Sequence, residues 1–480
     1  MTSIKFGTDG WRDLMYDRFN LPNVRRVVRA IAQYTKDHRG AERGIVVGYD
    51  ARFFSDLFAR ETAQILQDEG IKAFLGVRDF PTPVIAFAVQ HYGAFGAIMF
   101  TASHNPSEYN GIKFIPEYAG PASPDITRAI EAKLDVILAE GTAEPAAAAG
   151  NAPLAESDRL RLIDPTAEYL AQLSKLVDVQ AIRQSGLRVI VDPLYATGRG
   201  FLPSLLADCP VEEIHNWRDP LFGGSMPDPQ DKFLSELKAR VRSSPNTIGL
   251  ATDGDADRFG IVDCDGSYLT PNQVISLVMY HLIKSRGYQG VVARSVATTH
   301  LLDKLGAAYG VEVIETPVGF KYIGELMRSR PVIVGGEESG GLSVRGHIPE
   351  KDGILACALM AEMVAVTKQP LGATLNQIYD QVGHFLTRRI DLHLSEAAKT
   401  AILERCRTAP PERIGALKVG EVRTIDGFKF VLEDGSWFLI RPSGTEALIR
   451  VYFEAGSARA LDALSEPVQG LLEQWGKTGD

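Results

Sequence analysis

The feature that most restricts this chain is a rhythm of short apolar runs, each followed by a helix-length segment, which starts near residue 44 and persists to about residue 366. Residues 44–48, 71–75 and 96–100 read as buried strands. The stretch 55–69, capped by Ser55, and the stretch from the turn at 80–83 to Tyr92 read as the helices between them. Strands joined by helical crossovers pair side by side in parallel, so the pattern predicts βαβ units and mainly parallel sheets. The rhythm returns with strands at 187–191 and 247–251. It returns again with strands at 291–293, 311–315 and 332–334, alongside helices over 272–284 and 354–366. These units share rhythm more than sequence, so an internal repeat is not established by it.

The last hundred residues change character. Residues 422–441 alternate apolar and polar, and Asp426-Gly427 and Asp434-Gly435 interrupt them as hairpin turns do. A strand over 447–454 and a helix over 458–475 follow. A chain of 480 residues is too long for one core. The expected organisation is therefore three α/β domains with mainly parallel mixed sheets, over residues 1–150, 151–266 and 267–380, and an α+β domain over 381–480. The first boundary rests on residues 140–153, which are rich in Ala, Gly and Pro and read as a linker.

Composition matters mainly for what it excludes. Lys and Arg number 51 against 60 Asp and Glu, and no basic run interleaved with aromatics occurs, which argues against a nucleic-acid partner. Any anionic ligand must be held by local groups. The four cysteines are scattered without a C-x-x-C pair, as expected of reduced thiols. Neither a signal-like start nor about 18 uninterrupted apolar residues is seen, so the expectation is a cytoplasmic protein with no membrane partner. Oligomeric state is not legible.

Polar loops at the ends of apolar strands are where parallel-sheet proteins place ligands. In Thr101-Ala102-Ser103-His104-Asn105-Pro106, Ser103 can accept a phosphoryl group, with His104 and Lys113 available for proton transfer or charge stabilisation. Ser, Asn and Pro also favour an ordinary turn. No G-x-S-x-G elbow surrounds the serine. In Asp253-Gly254-Asp255-Ala256-Asp257-Arg258, three alternate carboxylates can converge on one hard cation such as Mg²⁺. The EF-hand frame fails, because Arg258 and Cys264 stand where Gly and Glu belong. The bland alternative is a solvated acidic turn. Downstream, Asp263-Cys264-Asp265-Gly266 resembles a phosphatase nucleophile motif, but Asp265-Gly266 reads better as a hairpin turn. Gly335 to Gly341 offers Glu337, Glu338 and Ser339 to sugar hydroxyls on a backbone that a ligand can approach closely. Arg441-Pro442-Ser443-Gly444-Thr445-Glu446 supplies a guanidinium and two hydroxyls suited to phosphate.

Together with Phe6-Gly7-Thr8-Asp9-Gly10-Trp11-Arg12, these loops resemble, in order and spacing, the α-D-phosphohexomutase superfamily of phosphoglucomutases and phosphomannomutases. The resemblance implies four domains around a central cleft. It implies a phosphoserine at Ser103 and Mg²⁺ held by Asp253, Asp255, Asp257 and a phosphoserine oxygen. It places Arg12, His104, Lys113 and Arg258 around the reacting phosphate, and leaves open which of them moves the proton. Glu337 and Ser339 would contact sugar hydroxyls. Lys321 would be a further substrate contact, and Arg441, Ser443, Gly444 and Thr445 would grip the phosphate that is not reacting. The reaction implied is interconversion of glucose 1-phosphate and glucose 6-phosphate through glucose 1,6-bisphosphate, which is also the activator. Glu337-Glu338-Ser339 and Gly319-Phe320-Lys321 resemble glucose-type members, whereas Val318 departs from their usual Thr. Mannose phosphate, or dual specificity, is the alternative among hexose phosphates. From other classes come a metal-dependent phosphohydrolase using Ser103 or Asp263, and a non-catalytic sugar-phosphate sensor.

Overall fold

The computed structural model describes residues 4–5, 10–140, 154–443 and 448–477. The linker-like residues 141–153, residues 6–9 of the first motif, and Gly444, Thr445 and Glu446 of the last lie outside them.

Among the described residues four sheets follow one another along the chain. The first has six strands in the order Trp11–Leu14, Tyr109–Pro116, Gly96–Phe100, Ile45–Tyr49, Ala73–Gly76, Leu160–Ile163. The last four run parallel, as the crossovers require, and the first two pair antiparallel. Leu160–Ile163 comes after residue 150, so the first sheet draws a strand from beyond the linker-like stretch. The second sheet orders Tyr268–Leu269, Phe259–Val262, Thr247–Thr252, Arg188–Asp192 and Val211–Glu213. The third orders Glu312–Thr316, Val291–Ser295, Val332–Glu337 and Gly341–Val344. The third is parallel except at the edge strand Gly341–Val344, whereas the second is parallel over Thr247–Thr252, Arg188–Asp192 and Val211–Glu213 and antiparallel through Phe259–Val262 and Tyr268–Leu269. The fourth has six strands, all antiparallel, and packs Phe430, Phe438, Val451 and Phe453 against Leu461, Leu464 and Val468 of the helix Ala458–Gly476.

The first three domains share a core. Helix Gly353–Thr367 is apolar on every face apart from Glu362, which is paired with His281 and Arg286, and every residue from Gly353 to Ala365 is buried, as a helix enclosed by several layers must be. Among the described residues no single helix is long and apolar enough to cross a membrane. The fourth domain meets the third through Trp437, Leu439 and Tyr452 against Val296 and Ala297.

Ser55 differs from its expected role. It is the first residue of helix Ser55–Asp68 and makes no cap. Its hydroxyl turns inward, donating to Asp50 and accepting from Asn110. Asp265-Gly266 does form the hairpin turn, between Phe259–Val262 and Tyr268–Leu269. The Asp263 carboxylate beside it accepts from the backbone N–H groups of Leu371 (3.0 Å) and Gly372 (2.7 Å), at the start of helix Leu371–Val382. Asp263 is thus a buried helix-end partner, which removes it as a nucleophile.

Candidate active site

The wholly buried strand Gly96–Phe100 delivers the serine loop. Ser103 is 1% exposed and has φ of +51°, a conformation that a residue with a side chain keeps only when its surroundings fix it. Two groups do so. The Thr101 hydroxyl accepts the Ser103 N–H at 2.8 Å. Arg52, with a fully buried side chain, donates to the carbonyls of Ser103, Asn105 and Pro106 at 2.6 Å and of Tyr109 at 3.0 Å, while its Nε binds Asp50 at 3.1 Å. Arg52 was not among the sequence candidates: its targets are carbonyls, which leave no mark in a motif.

The acidic loop meets the serine loop head on. It joins the antiparallel strands Thr247–Thr252 and Phe259–Val262, and Ser103 Oγ donates to Asp253 Oδ2 at 2.7 Å. A Cβ on Gly254 would lie 2.3 Å from the Ser103 carbonyl oxygen, so the two backbones touch where only glycine fits. Thr82, opening helix Thr82–His91, donates its hydroxyl to Asp255 at 2.6 Å. The Gly353 N–H binds the Ala256 carbonyl at 3.0 Å. Elements of the first and third domains therefore hold the loop of the second.

Asp253, Asp255 and Asp257 are all buried, and one oxygen from each lies within 4.8 Å of the others. Their charge is met by Lys113 (2.9 Å to Asp255, 3.4 Å to Asp257), by Lys351 (2.7 Å to Asp257) and by the Arg258 backbone N–H (3.0 Å to Asp253). Lys351 is a second residue the sequence candidates omit. It belongs to the third domain, and only the fold brings it here. Burial, then the charges of Asp255 and Asp257, push the Asp253 carboxyl well above the usual range. Burial acts on Asp255 too, but Lys113, the Thr82 hydroxyl and Lys351 overcome it and hold that carboxyl below the range. Asp255 Oδ1 and Asp257 Oδ1 remain buried without a hydrogen-bond partner, which is costly unless something binds them. An oxygen-lined, carboxylate-rich site of this kind fits a hard divalent cation.

Around the serine, His104 Nδ1 stands 3.3 Å from Oγ. Burial, then the Arg258 and Arg12 guanidinium groups, hold the imidazole well below its usual value, so it is neutral near pH 7. Arg12, on strand Trp11–Leu14, reaches Asn105 Oδ1 of the serine loop at 3.3 Å. Arg258 Nε lies 3.9 Å from Asp257.

Glu337 ends the buried strand Val332–Glu337 and accepts the Gly319 N–H at 2.7 Å. Glu338 is held by the Ser295 hydroxyl at 3.0 Å. Ser339 and Glu338 line a cleft of about 420 Å³ together with Arg258 from the second domain and Arg389 from the fourth. Lys321 lies in the first turn of helix Phe320–Ser329, with Nζ 5.3 Å from the centre of the Tyr322 ring. In the fourth domain Arg441 Nε donates to Asp426 at 2.8 Å, and Lys399 donates to the Ser443 carbonyl at 3.1 Å. The remaining expected cradle residues, Gly444 and Thr445, lie outside the described residues.

A buried serine hydroxyl on a carboxylate triad, beside guanidinium groups and a neutral imidazole, with Arg258 reaching from the triad loop into a cleft lined by three domains, has the makings of a phosphoryl-transfer site. Residues 3–139, 167–266, 270–382 and 393–469 match, in turn, alpha/beta/alpha domains I, II and III and the C-terminal domain of phosphoglucomutase/phosphomannomutase. A phosphoglucomutase/phosphomannomutase of Thermococcus kodakarensis is 28% identical over 98% of both chains. A presumptive phosphoglucosamine mutase of Methanothermobacter thermautotrophicus is also 28% identical, over 98% of this chain and 97% of its own. The crystal structure of a presumptive phosphomannomutase from Thermus thermophilus superposes with a TM-score of 0.85 at 32% identity, over 98% of this chain and 99% of that one. The chain belongs to the phosphoglucomutase/phosphomannomutase family of the α-D-phosphohexomutase superfamily.

Proposed function

We propose that this phosphohexomutase interconverts glucose 1-phosphate and glucose 6-phosphate through a phosphoserine at Ser103 and a glucose 1,6-bisphosphate intermediate. The observation that carries the reading is the 2.7 Å hydrogen bond from Ser103 Oγ to Asp253, made at a strained residue that Arg52 locks in place. Strain maintained at a buried hydroxyl beside three carboxylates has a purpose if that hydroxyl carries a phosphoryl group.

In the forward step the phosphorus–oxygen bond to Ser103 breaks as a bond forms to the free sugar hydroxyl. The hydroxyl proton passes to a base, a role that suits the neutral His104, and Ser103 Oγ leaves as the alkoxide to be protonated or rephosphorylated. Arg12, Arg258 and Lys113 offset the charge on the transferring group. Mg²⁺ at Asp253, Asp255 and Asp257 would supply further charge neutralisation. The bisphosphate then reverses, and its other phosphate returns to Ser103. Arg441, Ser443, Gly444 and Thr445 hold the distal phosphate in either orientation, and Glu337, Ser339 and Lys321 hold the sugar.

Glucose is preferred on the strength of Glu337-Glu338-Ser339 and Gly319-Phe320-Lys321. Mannose 1-phosphate is the alternative substrate, a reading supported by the Thermococcus kodakarensis relative, which carries both hexoses in its name. The test is to supply glucose 1-phosphate or mannose 1-phosphate with Mg²⁺ and catalytic hexose 1,6-bisphosphate, and to follow the 6-phosphate and free phosphate together. Conversion without phosphate release supports the mutase. Phosphate release equal to turnover would replace it with a hydrolase, and binding without turnover with a sensor.

A further inference from the structure

Two carboxylates from different domains grip adjacent N–H groups of one short segment. Asp426, in the hairpin turn between Leu417–Arg423 and Phe428–Leu432 of the fourth domain, accepts the Val318 N–H at 3.0 Å. The same oxygen, Oδ2, accepts from Arg441 Nε at 2.8 Å. The next N–H, of Gly319, goes to Glu337 Oε1 at 2.7 Å. Three hydrogen bonds thus run from the cradle arginine to the sugar-loop glutamate. Gly319 holds φ of +128°, open mainly to glycine, so the segment between the two carboxylates has a fixed shape. The Asp426 turn is seated just as closely on the cradle strand: a Cβ on Gly427 would lie 2.5 Å from the Ile440 carbonyl oxygen and 3.1 Å from the Arg441 Cα.

We propose that Asp426 is a positioning residue that orients Arg441 and couples the phosphate cradle of the fourth domain to the sugar loop of the third through the Val318–Gly319 segment. The inference rests on the mutase reading, in which one hexose phosphate is gripped by both loops at once. A ligand phosphate that shifts Arg441 pulls on Asp426, and through it on the segment that fixes Glu337. The fourth domain and the sugar loop then close on the ligand as one unit, and a phosphate on Arg441 is read out as a better-placed Glu337.

The experiment measures the affinity for glucose 1-phosphate by calorimetry, with Mg²⁺ present. The proteins are wild type, Asp426→Ala, Asp426→Asn, Glu337→Gln and the Asp426→Ala/Glu337→Gln double variant, with thermal midpoints recorded alongside. Loss of a charge-assisted contact predicts roughly tenfold weaker binding or more for Asp426→Ala. Asp426→Asn, which keeps a carbonyl acceptor, should fall between. Coupling predicts that the double variant loses less than the product of the single losses, by about threefold or more. Multiplicative losses, or a lowered midpoint with unchanged affinity, would overturn the coupling and leave the mutase reading intact. Failure of wild type to bind glucose 1-phosphate would instead remove that reading and this inference with it.

Discussion

Arg52→Lys tests whether Ser103, the proposed phosphoryl carrier, is held from behind. The guanidinium makes five hydrogen bonds, four to carbonyls of residues 103–109 and one to Asp50, and neither side chain of the ion pair is exposed. Lysine keeps the charge but has three donors and no planar fork, so at least two of the five acceptors lose their partner. A buried acceptor left unsatisfied costs about 1–3 kcal/mol, which places the local loss at about 2–6 kcal/mol. Much of it falls on the loop, because four of the five bonds end there. Native-state hydrogen exchange is the appropriate assay, since a four-domain chain need not unfold in one step. At the low end, about 2 kcal/mol, amides of residues 103–110 that exchange through local opening should do so roughly 30-fold faster in Arg52→Lys. The strained Ser103 conformation should relax with them, so kcat falls while affinity for Mg²⁺, proposed to bind the second-domain carboxylates, changes little. Exchange within about threefold of wild type, a difference of under 1 kcal/mol, together with unchanged kcat, would refute the reasoning.

Three further outcomes follow from the same contacts. Gly254→Ala places a Cβ 2.3 Å from the Ser103 carbonyl, and overpacking of this kind costs about 1–3 kcal/mol, so phosphohexomutase turnover should fall sharply while the separate fourth-domain core keeps its exchange protection. Asp255→Asn keeps the shape and removes one charge from the carboxylate cluster, and titration calorimetry should show Mg²⁺ affinity falling together with activity; wild-type affinity would remove this loop as the metal site. Lys429, fully buried against Val296 and Trp437, is lowered to about 7 by burial and then by Arg294. The unfolded chain, with an ordinary lysine near about 10.4, binds the extra proton between these values, so this group makes stability rise from about pH 7 to pH 10. Denaturation of wild type against Lys429→Met across that window should show the rise in wild type alone, and parallel curves would contradict it.

How far the sequence reveals this molecule depends on the kind of signal. The strands Gly96–Phe100 and Thr247–Thr252, each with one parallel neighbour, are legible because strands buried on both faces read as nearly continuous apolar runs. The hairpins of the fourth domain are legible through their Asp-Gly pairs. Strand Leu386–His393, with two arginines and an aspartate among its eight residues, carries no such mark, and its partner Leu448–Ala455 alone defines it. Tyr109–Pro116, which bears Lys113, contains Asn and Gly and is held in the sheet by flanking strands on both sides. At the site, groups packed into short loops could be named from the chain. Arg52, Lys351 and Asp426 could not, because each acts on backbone or charge brought near only by folding. Ser55 shows the converse: a residue type suited to a helix cap was recruited instead by the buried Asp50 beside Arg52.

The central claim is that Ser103 carries the phosphoryl group, and intact-mass measurement tests it most directly. Wild type and Ser103→Ala, incubated with glucose 1,6-bisphosphate and Mg²⁺ and then freed of ligand, are compared by mass and by fragmentation of the peptide containing residues 101–106. The account predicts that wild type gains one phosphoryl group on Ser103, that adding glucose 1-phosphate or glucose 6-phosphate removes it as bisphosphate, and that Ser103→Ala gains none. A phosphoryl group on the alanine variant, or a wild type that turns over hexose phosphate while never carrying the label, would contradict it.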